Sequence, residues 1–178
     1  SLFPALDTML NAAIAGDFNG DSHLDFVAVD NHGLVVLWGN GSGRFDHRPQ
    51  HQPLPELENP WVLTSGDVDL DGDLDLWLGQ YKVPYLAGQM PVPYFDANDG
   101  FPSYLLLNDG RGNFVDSTAG SGLDEKRFRR TYSASWVDID LDGDVDLVNV
   151  SDFAGVDLFL NVTRPGQRPQ FRDVTALL

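Results

Sequence analysis

The sequence predicts an all-β protein built from three repeated units of four short strands. Three observations carry this reading. A nine-residue acidic pattern occurs three times, and each copy lies between short runs of β-branched and aromatic residues. After each copy comes an apolar run closing on Asn, then a glycine-containing turn, then a Phe.

The acidic copies read Asp17-Phe-Asn19-Gly-Asp21-Ser-His23-Leu-Asp25, then Asp67-Val-Asp69-Leu-Asp71-Gly-Asp73-Leu-Asp75, then Asp138-Ile-Asp140-Leu-Asp142-Gly-Asp144-Val-Asp146. They hold 13 of the 27 acidic residues, which leaves the rest of the chain nearly balanced although the formal charge is -16. Carboxylates this dense repel one another unless a cation neutralises them, and hard divalent ions favour such oxygen donors. Calcium suits the pattern better than magnesium, because it accepts about six to eight oxygens in flexible geometry. Up to three ions are expected, with positions 1, 3, 5 and 9 supplying side-chain oxygens. Position 7 (His23, Asp73, Asp144) would supply its backbone carbonyl, leaving its side chain free to turn away. Gly72 and Gly143 at position 6 permit the sharp turn around the ion. The first loop has Ser22 there, His23 in place of an acid and the uncharged Asn19, so it is expected to be the weakest site.

The flanks decide which kind of loop this is. An EF-hand needs a bidentate Glu at position 12 and helices on both sides, but position 12 is Ala28, Leu78 and Asn149. In the first unit, about residues 11–58, Ala13-Ile14-Ala15 leads into the loop and Phe26-Val27-Ala28-Val29 leads out. In the second, about 59–131, the runs are Trp61-Val62-Leu63 and Leu76-Trp77-Leu78; in the third, about 132–178, Trp136-Val137 and Leu147-Val148-Asn149-Val150. Each loop thus joins two antiparallel strands. A third strand ends at Leu37-Trp38-Gly39-Asn40, Leu106-Leu107-Asn108 or Phe159-Leu160-Asn161, and after the turn a fourth opens with Phe45, Phe114 or Phe171.

With these features assembled, nearly the whole chain resembles the FG-GAP or VCBS repeat family, the blades of integrin α-subunit propellers and of many secreted bacterial proteins. The residues that carry the resemblance are Gly66 through Leu76 with the two sister loops, and Leu107-Asn108-Asp109-Gly110-Arg111-Gly112-Asn113-Phe114-Val115-Asp116. The ending Phe171-Arg172-Asp173-Val174-Thr175 is similar to that of cartilage-acidic-protein-like bacterial repeat proteins. The resemblance implies a β-propeller with calcium in the loop between the first two strands of each blade, and an extracellular binding or adhesion role. Propellers close with about four to eight blades, so three blades are expected to be part of a larger propeller. The alternatives are self-association of copies, or an irregular cover over the end blades from residues 1–10 and the C-terminal strand. Leu2-Phe3-Pro4 is a candidate remnant of a preceding blade.

The second unit is longer than its siblings by an insertion over residues 80–103, rich in aromatic residues and proline. Long irregular insertions in compact domains tend to carry function. Tyr85, Tyr94 and Phe95 are the candidate ligand-binding residues, on the face that the resemblance places opposite the calcium loops; the other reading is a lid packed over a blade edge or the propeller axis. His47 and His51 read as surface residues because Pro49 excludes a helix between them. Lys126-Arg127-Phe128-Arg129-Arg130, the one basic cluster, reads as a solvated turn, the alternative being a seat for an acidic glycan or a neighbouring acidic loop. Asn40-Gly-Ser42 and Asn161-Val-Thr163 match glycosylation acceptors, and Trp38, Trp61, Trp77 and Trp136 read as core.

The chain of 178 residues has 42% apolar residues, which is globular, and its charge disfavours nucleic acid and anionic membrane surfaces as partners. There is no run of about 18 apolar residues and no basic-then-apolar leader, so a soluble mature segment without membrane insertion is expected. The absence of cysteine removes disulfides, thiolate metal sites and a cysteine nucleophile. No nucleophile and base, or open metal with an activating acid, stands out, so the chain is expected not to be an enzyme. The expected function is a calcium-binding, non-catalytic module that binds a protein or glycan ligand at an extracellular, periplasmic or cell-surface location. The alternative is a structural or accessory domain of a larger secreted enzyme whose active site lies outside this chain.

Overall fold

A computed structural model describes residues 10–45, 48–85 and 90–177. The expectations placed on Leu2-Phe3-Pro4, on residues 1–9 as a cover and on His47 lie outside them, as do residues 86–89 of the insertion. Among the described residues, twelve strands form three four-stranded antiparallel sheets, each an up-and-down meander. Sheet one contains β1 (Ala12–Gly16), β2 (Asp25–Val29), β3 (Gly33–Leu37) and β4 (Gln50–Pro53). Sheet two contains β5 (Pro60–Gly66), β6 (Asp75–Gln80), β7 (Tyr104–Asn108) and β8 (Phe114–Asp116). Sheet three contains β9 (Arg130–Val137), β10 (Asp146–Asp152), β11 (Gly155–Asn161) and β12 (Phe171–Asp173). No α-helix occurs among the described residues. These are propeller-type blades, each with its acidic loop between the first two strands.

The blades pack face to face, and alternation along β6 explains how. Leu76 and Leu78 face sheet one, joining Val27, Val29, Leu34 and Val36 in one core cluster. Trp77 points the other way, joining Leu147, Phe159 and Phe171 of sheet three in a second. A central strand covered on both faces has no room for a polar alternation, which is why Leu76-Trp77-Leu78 runs continuously apolar. In sheet three, β10 alternates from Leu147 onward between buried and half-buried residues, because among the described residues only one of its faces packs against another sheet. Close packing also selects glycine at Gly66, where an added Cβ would lie 3.1 Å from Trp136 and 3.2 Å from Val145.

The second and third blades are each stitched to the one before. Asn108 Nδ2 donates to the Phe18 carbonyl in the preceding blade at 2.8 Å, and Asn161 Nδ2 donates to the Val68 carbonyl at 2.9 Å. Phe18 and Val68 occupy position 2 of their loops and are fully buried, whereas the equivalent Ile139 in the last blade is 37% exposed. Asn161, itself 1% exposed, is therefore a structural clamp and not an accessible glycosylation acceptor.

The first blade departs from the expected repeat in two ways. The residue equivalent to Asn108 and Asn161 is Gly39, not Asn40: the amide of Gly39 meets Asp25, as those of Asn108 and Asn161 meet Asp75 and Asp146. Asn40 belongs to the following turn, where its Oδ1 accepts from the Ser42 amide. Phe45 is bridged to Gly39 outside any strand and packs edge-on against Phe26, and the fourth strand begins later, at Gln50.

The basic cluster is not a solvated turn. Arg129 and Arg130 are 2% and 1% exposed, and acidic side chains are brought to them from distant segments. Arg129 donates to both Asp157 oxygens and to Asp96, and Arg130 makes a two-pronged pair with Asp99 at 2.9 and 2.8 Å. Asp96 and Asp99 lie in the insertion, so the cluster anchors that segment to sheet three. Trp77 is buried and Trp38 and Trp136 pack against the clusters as expected, but Trp61 is 53% exposed.

Candidate metal centres

The three acidic loops fold by the same rule: the carboxylate at position 1 accepts the backbone amides of the turn that follows. Asp17 Oδ1 accepts from Gly20 and Asp21, and its Oδ2 from Ser22 at 2.7 Å. Asp67 accepts from Asp71 and Gly72, and Asp138 from Gly143 at 3.1 Å. Drawing the amides inward requires positive φ twice. At position 6 it falls on Gly72 and Gly143, with φ 96° and 100°, and on Ser22, with φ 66°. At position 4 it falls on Gly20, but also on Leu70 and Leu141, both at φ 64°. A leucine held left-handed costs about 1–2 kcal/mol and persists where the surroundings over-determine it.

This winding gathers carboxylates. One oxygen from each of Asp67, Asp69 and Asp71 lies within 4.8 Å of the others, and the same holds for Asp138, Asp140 and Asp142. In the first loop Asn19 Nδ2 donates to Asp21 at 3.3 Å, and Asp21 also holds His23 through its amide and Nδ1. Among the described residues, seven buried side-chain polar atoms lack a hydrogen-bond partner, and four belong to the second and third loops: Asp69 Oδ1, Asp73 Oδ1, Asp138 Oδ1 and Asp144 Oδ1. A buried carboxylate oxygen without a donor is costly, and a hard cation removes that cost. The donor set therefore fits a divalent ion. Asp73 and Asp144, at position 7, each keep one side-chain oxygen buried.

Position 9 has a second role that its spacing does not reveal. Asp25, Asp75 and Asp146 are all fully buried. Asp75 Oδ2 accepts the Val68 amide at 3.0 Å and its Oδ1 the Asn108 amide at 2.9 Å. Asp25 and Asp146 make the corresponding pairs, so each latches its loop to the end of the third strand. Each oxygen retains a further lone pair for a metal. The partner Asn at the strand end was visible as a repeated letter, but its inter-blade hydrogen bond depends on tertiary packing.

Electrostatics follow from crowding. Burial, then the charges of Asp71 and Asp69, push the Asp73 carboxyl up to about 6; burial and Asp142 do the same for Asp144, to about 6. Burial raises Asp75 to about 7 against two lowering amide bonds. These groups hold protons in the fold that the unfolded chain releases near pH 4, so their contribution is complete below that pH and disappears as pH rises through 6 to 7. Asp99, lowered by its hydrogen bond from Arg130, acts oppositely, its contribution being lost only as pH falls below about 4. Metal-free protein is thus expected to melt several degrees higher at about pH 5 than at pH 8. Calcium competes with the protons, so saturating calcium should flatten or reverse that slope; thermal melts across this range, with and without chelator, check it.

Two of the three candidate ligand residues are in contact with each other. Tyr94 packs edge-on against Phe95 at 5.1 Å and against Phe153 at 5.2 Å, and Tyr94 and Phe95 are 49% and 78% exposed. Tyr85 is 63% exposed, and among the described residues no ring contact joins it to them. Gln80 and Ser103, the ends of the insertion, are fully buried, with Gln80 Nε2 donating to the carbonyls of Glu56 and Pro102. His51 is exposed on β4.

Three meandering four-stranded sheets, each with an aspartate-rich loop between its first two strands, define a propeller-type repeat protein. Residues 17–78 match the family model described as an FG-GAP-like repeat, from the first acidic loop through the second and most of β6. The chain therefore carries an FG-GAP-like repeat. No curated protein matches it. Among the described residues, no helix is long and apolar enough to cross a membrane.

Proposed function

We propose that this chain is a calcium-stabilised, non-catalytic propeller module that binds a protein or glycan ligand outside the cytoplasm. The observation that carries the reading is the set of buried, unpartnered carboxylate oxygens in the second and third loops. Calcium there would neutralise the acids, tie neighbouring strands together and add its binding free energy to folding. Asp67, Asp69, Asp71, Asp73 and Asp75 would hold one ion and Asp138, Asp140, Asp142, Asp144 and Asp146 another. Asp17, Asn19, Asp21, His23 and Asp25 would form a weaker third site, since Asn19 and His23 bring less negative charge. An exported location accords with the need for abundant free calcium.

For ligand contact the reading favours the insertion, whose exposed Tyr94 and Phe95 are presented on a backbone anchored by Arg129 and Arg130. Rigid aromatic surface of this kind contributes contact area with little ordering cost. The outer face of sheet three, with Ile139 exposed where its counterparts are covered, supports the presence of a further blade in the complete assembly.

The test is a thermal melt of chelator-stripped protein with calcium and then magnesium added back, with light scattering to follow mass. Each site at about a hundredfold excess over its Kd contributes roughly 2.7 kcal/mol, so a clear calcium-specific rise in Tm is expected. No rise, or an equal rise with magnesium, overturns the calcium assignment.

A further inference from the structure

At the end of the blades opposite the acidic loops, Trp61, Tyr81, Tyr132 and Asp152 line a cleft of about 300 Å³ between sheets two and three. Trp61 and Tyr132 sit near the starts of β5 and β9, Tyr81 directly follows β6, and Asp152 ends β10. Trp61 and Tyr132 are each the unpaired residue at a bulge, in the β5–β6 and β9–β10 pairs respectively, and bulges re-aim side chains out of the regular alternation while the flanking ladder holds them in place. Trp61 and Tyr81 have ring centroids 5.7 Å apart at 46°, and Tyr81 and Tyr132 are 6.3 Å apart at 75°. The rings are inclined to one another and do not stack flat, so they wall a common space. Trp61 and Tyr132 remain 53% and 50% exposed, an unusual expenditure of aromatic surface on positions that packing does not use.

The polar equipment of the cleft is narrow. Tyr81 donates its hydroxyl to Asp152 Oδ2 at 3.0 Å, which orients the carboxylate. Arg130 is the nearby cation, but Asp99 engages it in a two-pronged pair, so the Asp152 charge is not cancelled by a direct partner. A hydroxyl-rich sugar would need several donors and acceptors that this lining does not offer. A primary ammonium would exchange three hydrogen bonds to water for one carboxylate. A quaternary ammonium gives up no hydrogen bonds, is attracted to the faces of Trp and Tyr within about 6 Å, and gains from a nearby carboxylate. The negative charge of the whole chain acts in the same sense.

We propose that this aromatic cleft is a binding site for a methylated, quaternary ammonium group. It lies at the opposite end of the blades from the acidic loops and does not depend on the metal assignment; Tyr85, Tyr94 and Phe95 do not line it, although Asp152 adjoins Phe153, on which Tyr94 packs.

The test is a calorimetric titration in calcium-containing buffer with choline and, in parallel, trimethyl-lysine and the neutral isostere 3,3-dimethylbutan-1-ol. Saturable binding of a quaternary ammonium is expected, with the isostere weaker by roughly tenfold because it keeps the shape and loses the charge. The tighter of choline and trimethyl-lysine identifies the carrier. Trp61→Ala and Asp152→Asn should each weaken binding by roughly tenfold while the melting temperature stays near that of the parent. If Trp61→Ala does not fold, Trp61→Leu takes its place, and Tyr132→Phe, which keeps the ring, should bind as the parent does. Absence of saturable heat for both cations, equal binding of the isostere, or parent-like binding by both weakening variants overturns the proposal.

Discussion

Replacing Arg129 with alanine is expected to destabilise the fold by about 3–5 kcal/mol, because it leaves a buried carboxylate with too little compensation. The Arg129 side chain is 3% exposed and its partner Asp157 only 1%. Its guanidinium donates to Asp157 at 2.9 and 3.3 Å, to the carbonyls of Asp96 and Ala97 at 2.9 Å each, and to the Asp96 carboxylate. After truncation Lys126, at 2.6 Å, is the cation left opposite Asp157 among the described residues, and two carbonyls of the insertion lose their donor. Urea unfolding should show the midpoint fall at unchanged slope, and limited proteolysis should open the segment around Asp96 first. Arg111→Ala, in an exposed hairpin, is the contrast and should change stability by no more than about 0.5 kcal/mol. A loss below about 1 kcal/mol for Arg129→Ala would show that desolvating the cluster offsets its attraction.

Asp75→Ala is expected to cost about 2–6 kcal/mol in calcium-free protein, since it strips the acceptor from two buried amides at about 1–3 kcal/mol each. Those amides belong to Val68 in the loop and to Asn108 at the end of β7. Asn108 in turn clamps the first blade through the Phe18 carbonyl, so the effect should spread to the interface of sheets one and two. Hydrogen exchange should reveal early opening at Phe18 as well as at Val68. Asp71→Ala is the informative comparison: it lies at an exposed position and should leave metal-free stability nearly intact while reducing the calcium-dependent gain. Equal losses for the two variants in chelator would show that position 9 acts only as one more ligand and not as a latch.

Much of the architecture was legible because it repeats. Acidic spacing, apolar flanks and the Asn-turn-Phe phrase each recur, so an error in one unit is corrected by the others. In the first blade Gly39 stands for the clamping Asn and adjacent Asn40 imitates the missing letter, so the letters alone place the repeat one residue late. Charged runs are usually solvated, and nothing local marks Arg129 and Arg130 as exceptions, because the acids that pair with them lie about 30 residues away in either direction. Trp61 read as core for the converse reason: tryptophan on a strand is usually packed, and only the arrangement of sheets two and three leaves it facing a cleft.

The sequence by itself determined the strand count per unit, the turn chemistry of the acidic loops and the concentration of negative charge there, because periodicity, glycine placement and Coulomb repulsion are local properties. Tertiary structure alone decided which carboxylates act as latches, which Asn joins one blade to the next, where the basic cluster finds its acids, and which aromatic rings meet across two sheets. Those outcomes depend on which faces of separate blades are brought together, and that contact is set by packing over distances that no local pattern encodes.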